Sequence, residues 1–159
     1  MKNILDFLPI STNRLVLKQT DIFDIDLIMK MDKQEDTQLY LGGVKNKTKE
    51  DRVEFLKKKN RNGNSLTVYL NNVAIGFVGL KINGAGAEIS YIFDSDFTGN
   101  GYCSEAVSKL IDVAFNQLNL DYIFAYSKSE NIASKKVLEK HNFKVNGIKE
   151  DFIYYLLEK

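Results

Sequence analysis

The hydrophobic period of the chain changes twice between residues 87 and 128, and this change limits the possible folds more than any other feature. The segment "AEISYIF" (87–93) alternates in the manner of a strand. From Gly101 to Leu118 the apolar residues recur at helical spacing and form one face. The segment "DYIFAYS" (121–127) is then apolar on both sides, which is typical of a strand covered on both faces. The unit therefore reads strand, glycine turn, helix, strand.

The patterns in the rest of the chain complete an α/β fold with a mixed central sheet and helices packed on it. Ahead of the unit we predict a strand in "STNRLVLKQ", a helix over 21–32 with Thr20 as N-cap, a capping-box-like helix start at "TKED" running to about Asn60, and the antiparallel strands "SLTVYL" and "AIGFVGLKI". After the unit we predict a helix from about Asn131 to His141, a short "FKV" and a closing strand "DFIYYLLE". The predicted order is βααβββαβαββ, in one domain spanning residues 1–159.

The charge balance and the residue inventory argue against several classes of function. The chain has 22 Lys and Arg against 21 Asp and Glu, a net charge of +1, which gives no argument for binding nucleic acid or an anionic membrane. One cysteine, Cys103, and one histidine, His141, leave no zinc cluster, so we expect no metal, although a site built from carboxylates alone stays open. No apolar run approaches the roughly 20 residues of a membrane span, and "MKNILDFLPIST" is too short and too acidic for a signal peptide, so we expect a cytoplasmic protein.

Two glycines one residue apart, Gly99 and Gly101, stand directly ahead of the predicted helix in "DFTGNGYCSEAV" (96–107). The first N–H groups of a helix have no intrahelical partner, and the helix dipole adds about half a positive charge there. Glycines let an anion approach these donors, so the pattern favours a phosphate or pyrophosphate ligand; a plain tight turn is the alternative. A P-loop does not fit because Tyr102 follows Gly101, and a dinucleotide fingerprint lacks its third glycine at Ser104.

The segment from "AEISYIF" to "KKVLEKHNF" (87–143) resembles the core of the GNAT N-acetyltransferases, in particular their RimJ/RimL-like branch. Its glycine turn is similar to the branch's "yWGkGyatEA", and "NIASKKVLEKHNF" is similar to "N..S.kvLeklGF". The segment "STNRLVLKQTDIFDIDLI" resembles the branch's opening "TeRLvLRplt..D...l", so the likeness extends over about residues 12–157. The resemblance implies the GNAT fold and an enzyme that transfers an acetyl group from acetyl-CoA to a primary amine.

The resemblance also implies which residues hold acetyl-CoA. The pyrophosphate would lie in the turn at residues 96–104, and the main chain at the end of the preceding strand would bind the pantetheine arm. Asn131 and Ser134 match the family's "N..S" beside the cofactor. Asn100 stands where the branch often has a basic residue, so no charge contact is expected from this position. The implied cofactor-binding residues are Ile92, Phe93, Asp94, Gly99, Asn100, Gly101, Tyr102, Cys103, Ser104, Asn131 and Ser134.

Acetyl transfer to an amine needs a base that removes a proton from the amine and an acid that protonates the departing thiolate. Alternation places Glu88, Ser90 and Ile92 on one face, and the family strand carries a glutamate here in many members, so Glu88 is the candidate base. A location at the solvent end of the strand is the alternative for Glu88. The branch resemblance implies that Ser134 is the acid, with a bound water as the alternative. Many other acetyltransferases use a tyrosine four positions later, where this chain has Leu138.

The acceptor is the part of the reaction that the sequence defines least. The candidates for lining an amine pocket are Gln34, Glu35, Asp36 and Tyr40, which lie in the variable segment 32–51, together with Glu88. Acidic residues attract a protonated amine, which favours a cationic acceptor, either a protein N-terminus or a small-molecule amine. Two alternatives stay open: a non-catalytic protein that binds coenzyme A, and a non-GNAT α/β domain for another phosphate ligand. A homodimer is compatible with such a fold.

Several further residues receive structural interpretations. Asn142 replaces the family's glycine after the last helix, and we predict a positive φ there, which asparagine tolerates well. His141 is interpreted as an exposed residue of the last helical turn. Cys103 is interpreted as a helix-start residue, a position that can lower the pKa of a thiol, and Glu105 as a carboxylate favourable to the helix dipole. The tyrosines interpreted as wall or core residues rather than acids are Tyr91, Tyr102 and Tyr126.

Overall fold

The computed structural model describes residues 2–38, 47–62 and 64–159, and these residues contain one eight-stranded sheet. The strands are β1 (Ile10–Ser11), β2 (Leu15–Gln19), β3 (Ser65–Leu70), β4 (Val73–Asn83), β5 (Gly86–Phe93), β6 (Tyr122–Lys128), β7 (Lys144–Lys149) and β8 (Phe152–Glu158). The α-helices are α1 (Ile25–Met31), α2 (Glu35–Gln38), α3 (Lys49–Asn62), α4 (Tyr102–Asp112) and α5 (Ile132–Lys140). No helix among these residues is long and apolar enough to cross a membrane.

The sheet is mixed, as predicted, and its strands follow the order β1-β2-β3-β4-β5-β6-β8-β7. The meander β3-β4-β5 is antiparallel, which confirms the prediction, and β5 and β6 form the parallel pair. This parallel pairing is short, because it joins Gly86–Glu88 to Tyr122–Phe124 while β5 continues to Phe93 and β6 to Lys128. Beyond it the two strands separate. We call the space between residues 89–93 and residues 125–128 the sheet gap.

Different helices cover the two faces of the sheet. On one face α4 and α5 pack over the strands, where Leu110 and Leu138 join Ile89 in the main hydrophobic core. On the other face α1 and α3 form a second core, in which Leu56 packs with Phe77. Successive residues of a strand point to opposite faces, so each strand contributes to both cores. We refer to these surfaces as the α4/α5 face and the α1/α3 face.

The aromatic residues of β6 depart from the sequence prediction. Ile123 and Ala125 are buried on the α4/α5 face, whereas Tyr126 points to the α1/α3 face and is 56% exposed. The expectation that this strand is covered on both faces is therefore wrong. The rings of Phe124 and Tyr126 pack against each other and against Tyr154 of β8, and this mutual packing accounts for the apolar residues on the exposed side.

The helix starts follow local capping chemistry. At α3, Asp51 N donates to Thr48 Oγ1 at 3.1 Å and Thr48 N donates to Asp51 Oδ2 at 2.9 Å, which confirms the predicted capping box. Ahead of α1 a single 3₁₀ turn is capped by Asp21, so the expected N-cap at Thr20 is wrong. The Thr20 hydroxyl is buried and donates instead to Ser65 Oγ at 3.1 Å.

The end of α5 has the backbone that was predicted. Asn142 has a φ of +65°, in the left-handed region, and its N–H donates to Glu139 O at 3.0 Å. Phe143 then enters the main core, where it is 3% exposed. Asparagine therefore performs the helix-ending role that glycine has in the family pattern.

Candidate active site

The glycine turn ahead of α4 has an open, left-handed backbone. Gly99 and Gly101 have φ values of +78° and +79°, in the region that favours glycine. The first hydrogen bond of the helix runs from Glu105 N to Gly101 O at 3.0 Å, so the N–H groups of residues 102–104 precede the helical ladder. A Cβ placed on Gly99 would meet nothing within 4 Å, so the outer side of the turn is free. The turn offers main-chain donors at the positive end of the helix dipole.

Arg14, which is not among the predicted site residues, lies beside this turn. Its Nη1 donates to Asn100 O at 3.0 Å and its Nε donates to Glu105 Oε2 at 2.7 Å. The guanidinium carbon lies 4.5 Å from the centroid of the Tyr102 ring, within cation–π range. Arg14 thus brings a positive charge to the turn in which Asn100 replaces the branch's basic residue. The available signal was the arginine of "TNRLVL", which matches the branch's opening.

Glu105 anchors the start of α4 to the loop between β1 and β2. Its carboxylate accepts hydrogen bonds from Thr12 Oγ1 at 2.5 Å and from Arg14 N at 3.0 Å, in addition to the bond from Arg14 Nε. Desolvation acts to raise the pKa of Glu105, but the hydrogen bonds from Thr12 and Arg14 outweigh it and lower the pKa below its usual value. The ionised carboxylate therefore holds Arg14 against the turn.

Asp94 ties the loop after β5 to the first helix. Its side chain is 2% exposed and accepts hydrogen bonds from Lys30 Nζ at 2.6 Å and from Gln34 Nε2 at 2.7 Å. Gln34 also accepts a hydrogen bond from Ser95 N through its Oε1, at 3.1 Å. Desolvation acts to raise the pKa of Asp94, but the bonds from Lys30, Gln34 and the main chain of Asp96 outweigh it and lower the pKa. Gln34, a candidate for the amine pocket, thus contacts the loop that leads to the glycine turn.

The sheet gap exposes main-chain groups of β5. Asp94 N donates to Ile75 O, on the β4 side of the sheet, at 2.9 Å, and the main-chain groups of successive residues alternate between the two edges of a strand. The peptide groups of Tyr91 and Phe93 consequently point into the gap, whereas those of Ile92 point toward β4. The end of β5 can therefore offer donors and acceptors to an extended ligand lying in the gap.

Ser134 and Tyr91 meet on the α4/α5 face beside the gap. Asn131 caps α5 as predicted, since its Oδ1 accepts from Ser134 N at 3.0 Å. The Tyr91 hydroxyl lies 2.9 Å from Ser134 Oγ, and either oxygen can be the donor. Burial raises the pKa of Tyr91, so its hydroxyl stays protonated. Tyr91, which was predicted to be a wall or core residue, therefore also forms a hydroxyl pair that no local pattern in the sequence indicates.

Glu88 lies on the α1/α3 face where the sheet gap begins. It is half-buried within the paired part of β5, opposite Lys81 of β4 and Phe124 of β6. Lys59 of α3 is near enough for the two charges to interact: burial lowers the pKa of the Lys59 amine, and Glu88 opposes this effect. The side chains of Glu88 and Ser134 therefore lie on opposite faces of the sheet, with the gap between them.

The other residues expected at the acceptor site are less informative. Glu35 is exposed on α2, and Asp36 beside it is exposed as well. Tyr40 lies outside the described residues. Among the residues that were expected to bind the substrate and that the structure describes, Glu88 is the one that borders the sheet gap.

The titratable residues near the start of α4 are shielded from water. Burial raises the pKa of the Cys103 thiol to about 12, opposite to the lowering that a helix start can produce. His141 is half-buried, its Nε2 lies 3.1 Å from Ser104 Oγ, and burial lowers its pKa. The expectation that His141 is exposed is wrong, because this contact with Ser104 holds the ring against α4. Within residues 2–38, 47–62 and 64–159, no group of three or more His, Cys, Asp and Glu side chains could hold a metal ion.

Solved structures with related folds include several acetyltransferases. A GNAT-family acetyltransferase from Bacillus anthracis matches with a TM-score of 0.84 and 25% identity, covering 94% of this chain and 97% of that one. Spermidine N-acetyltransferase from Vibrio cholerae, solved with CoA and spermine, matches at 0.80 and 20% identity, covering 92% and 96%. RimL, a ribosomal L7/L12 alpha-N-protein acetyltransferase, matches at 0.79 and 15% identity, covering 95% and 93%. The last two share the fold.

Sequence comparisons give the family. The uncharacterized N-acetyltransferase p20 of Bacillus licheniformis is 29% identical over 152 residues, which cover 89% of this chain and 85% of p20. The family model of the acetyltransferase (GNAT) domain matches residues 14–144, most of the chain. This match excludes the alternative of a non-GNAT α/β domain. The chain belongs to the GNAT acetyltransferase family, and it is an N-acetyltransferase.

Proposed function

We propose that this enzyme transfers the acetyl group of acetyl-CoA directly to a primary amine, with both substrates bound at the sheet gap. The observation that carries the proposal is the arrangement around the gap: a hydroxyl pair on the α4/α5 face, a carboxylate on the α1/α3 face, and open peptide groups between them. Acetyl transfer requires an acceptor for the amine proton and a donor for the leaving thiolate, each within reach of the reacting group.

The residues of the turn and the gap fit acetyl-CoA, which supplies the activated acetyl thioester when it is bound. The main-chain donors of residues 99–104 suit its diphosphate, and the guanidinium of Arg14 adds positive charge beside them. The peptide groups of Tyr91 and Phe93 suit its amide-containing arm, because an extended chain can pair with a free strand edge. Of the residues expected to bind the arm through their main chain, only Phe93 faces the gap: Ile92 pairs with β4, Asp94 N donates to Ile75 O and Asp94 O accepts from Phe97 N, so Tyr91 takes their place in the proposal.

Glu88 acts as the base in this proposal. An amine is mostly protonated at neutral pH, and it becomes a nucleophile when a proton is removed. The carboxylate of Glu88 first attracts the ammonium and then accepts its proton, directly or through water. Its place on the α1/α3 face brings the amine to the gap from the side opposite to α4 and α5, where the cofactor enters.

Ser134 acts as the acid, with Tyr91 behind it. Either oxygen of this pair can be the donor, and the proposal assigns that role to Tyr91, which leaves the serine proton free to point into the gap toward the leaving sulfur. When the serine proton is transferred, Tyr91 stabilises the remaining negative charge. The pair therefore supports the role of general acid, which a serine of ordinary acidity performs poorly alone. In this proposal Tyr91 compensates for the absence of the tyrosine that many other acetyltransferases have at the position of Leu138.

The acceptor is a primary amine, and the branch and location of the enzyme are further parts of the proposal. The motifs at residues 96–107 and 131–143 support the RimJ/RimL-like branch. Acetylation of spermidine and of a ribosomal protein N-terminus both occur on this fold, so the fold itself allows either class of acceptor. We place a single catalytic domain at residues 1–159 and the enzyme in the cytoplasm.

The test is the release of free CoA thiol from acetyl-CoA across a panel of amines and short peptides. Glu88→Gln should lower kcat/KM for every accepted amine at least a hundredfold, because the proton acceptor is lost. Glu158→Gln is the matched control, since Glu158 is an exposed carboxylate on β8 and should leave the rate unchanged. Tight binding of CoA without thiol release from any amine would instead indicate a non-catalytic coenzyme A sensor.

A further inference from the structure

The exposed part of the α1/α3 face carries a cluster of aromatic rings that the proposed mechanism does not use. Ring centroids lie 5.9 Å apart for Phe124 and Tyr126, 5.1 Å for Tyr126 and Tyr154, and 5.8 Å for Phe124 and Tyr154. Phe152 lies two residues before Tyr154 on the same face of β8, lines one cavity with Tyr126 and Tyr154, and is 41% exposed. We call Phe124, Tyr126, Phe152 and Tyr154 the aromatic wall. Such rings offer flat, rigid contact area that needs little ordering when a ligand binds.

The aromatic wall begins next to the proposed base and leads away from it. Phe124 is the register partner of Glu88 on the same face. Tyr126 lies two residues further along β6, so its Cα is at least about 8 Å from that of Glu88 by strand geometry. There the wall borders an open cavity of about 410 Å³, which Lys149 and Glu150 line at the β7–β8 turn. This volume falls within the range of roughly 300–1,000 Å³ that small-molecule sites occupy.

The charges along this path disfavour a polyamine. Lys81 stands opposite Glu88, Lys59 interacts with the same carboxylate, and Lys149 stands beside Glu150 at the cavity. A second or third ammonium of a polyamine would therefore meet positive charge in addition to a carboxylate. A ligand with one ammonium and an apolar body would place its charge at Glu88 and its body against the rings.

We infer that the aromatic wall is the acceptor-binding surface and that it selects a primary amine carried on an aromatic group. The inference rests on the proposed acetyl transfer, because it assigns the amine nitrogen to Glu88. The volume of the adjoining cavity favours a small arylalkylamine as the occupant, and a peptide with an aromatic first residue is an alternative that the test distinguishes. A second copy of this chain is the competing occupant of the wall, and the test distinguishes it.

The first experiment compares acceptors that differ in their apolar body. Phenethylamine and phenylbutylamine are measured against hexylamine and spermidine, and the peptide Phe-Gly-Gly against Ser-Gly-Gly. We expect kcat/KM to be at least tenfold higher for the aromatic member of each comparison, through a lower KM. A preference for the aromatic amines supports the inference, whereas a preference confined to the peptides would assign the wall to a protein N-terminus and overturn the small-molecule occupant. Equal or better use of hexylamine or spermidine would overturn the inference.

The second experiment removes a ring. Tyr126→Ala should raise KM for the aromatic acceptor roughly tenfold and leave KM for hexylamine and the Kd for CoA unchanged. Phe23→Ala is the matched control, because Phe23 is 88% exposed and precedes α1, which packs over β4 and not over β6 and β8. Its loss should change none of these values. Tyr126→Leu keeps apolar area without the ring. If this variant unfolds at the same temperature as the unmodified protein, a raised KM for the aromatic acceptor reflects lost recognition and not lost stability.

Two outcomes would count against the aromatic wall as an acceptor surface. An unchanged aromatic preference in Tyr126→Ala would overturn the inference, and a simultaneous change from dimer to monomer would assign the wall to a contact between two copies.

The failure of acetyl transfer itself is recognised separately, as the absence of turnover with every amine. Titration of phenethylamine into protein saturated with CoA then decides the inference alone: binding weakened by Tyr126→Ala supports it, and no binding overturns it.

Discussion

Gly101 is the residue at which a single added carbon should most affect the proposed cofactor site. Its φ of +79° is strained for other residues, and a Cβ there would lie 3.4 Å from Arg14 Nη2. We expect Gly101→Ala to lower the free energy of unfolding by about 1 kcal/mol. We also expect it to weaken CoA binding at least tenfold, because relieving the strain redirects the main-chain donors. Calorimetric titration with CoA and urea denaturation measure the two effects.

Gly84 provides the matched control for this change. It has a φ of +60° in the turn between β4 and β5, and a Cβ there would meet nothing within 4 Å. Gly84→Ala should therefore have a similar backbone cost and leave the Kd for CoA unchanged. An equal loss of CoA affinity in both variants would show that the loss reflects general destabilisation, which would contradict the special role of the turn.

The sequence predicts those site residues whose role depends on their own backbone conformation or on neighbours within a few positions along the chain. Gly101, Asn131 and Asn142 carry their function in their own backbone or in the next turn, and the sequence identifies each of them. Arg14 and Tyr91 were missed because their partners are far away along the chain. Arg14 bonds to a residue 86 positions away and Tyr91 to one 43 positions away, and no local pattern reports such pairs.

At the scale of secondary-structure elements, hydrophobic periodicity predicted most of the helices and strands and their type, but it did not predict how far each one is buried. The predicted order of strands and helices agrees with the structure except for two elements that were not predicted, β1 and α2. These have two and four residues, which is too short for a hydrophobic period to show. The exposure of β6 was mispredicted because large aromatic residues read as buried, whereas Tyr126 and Tyr154 pack on each other and remain partly open to water. The cap ahead of α1 was misplaced by one residue, because both Thr20 and Asp21 are suitable cap residues.

The contact between α1 and the loop after β5 depends on an ionised Asp94. Because the pKa of Asp94 lies below its usual value of 3.8 in the folded protein, its contribution to stability is present above that pH and is lost as the pH falls below it. We expect Asp94→Asn to lower the free energy of unfolding by about 2 kcal/mol at neutral pH. The difference from the unmodified protein should shrink as the pH falls below 3.8. Urea denaturation across this range measures it.

Asp96 is the control for Asp94, because both carboxylates lie 2.6 Å from Lys30 Nζ. The Asp96 side chain is 64% exposed, so water screens its interaction with the lysine. Asp96→Asn should change the free energy of unfolding by less than about 0.5 kcal/mol. Similar effects of the two substitutions would mean that the charge of Lys30, and not the buried bonds of Asp94, stabilises this loop.

At the scale of the whole molecule, the sheet is joined across its middle by the short parallel pairing of β5 and β6. A ligand that pairs with the free edge of β5 should make the sheet continuous. We expect saturating CoA to slow hydrogen exchange of the Tyr91 and Phe93 amides. We also expect it to raise the free energy of unfolding by about 2.7 kcal/mol at a hundredfold excess over Kd. Exchange measured by NMR and thermal unfolding with and without CoA test both.

The amide of Ile92 is the internal control in the same strand. It points toward β4, so its exchange should be slow whether or not CoA is present. If the amides of Tyr91 and Phe93 exchange as slowly as that of Ile92 before CoA is added, or do not respond to it, the cofactor arm does not lie along this edge. The proposed place of the pantetheine arm would then have to be abandoned.

The sheet gap opens on both faces of the sheet, so the two substrates can have separate entrances. In the proposed arrangement the acyl donor reaches the reaction centre past α4 and α5, while the amine arrives over β6 and β8 from the other side. Substrates that enter from opposite faces do not block each other, so we expect either one to bind to the free enzyme first. We also expect coenzyme A to dissociate whether or not the acetylated product is still bound, so that the concentrations of the substrates set the order of binding.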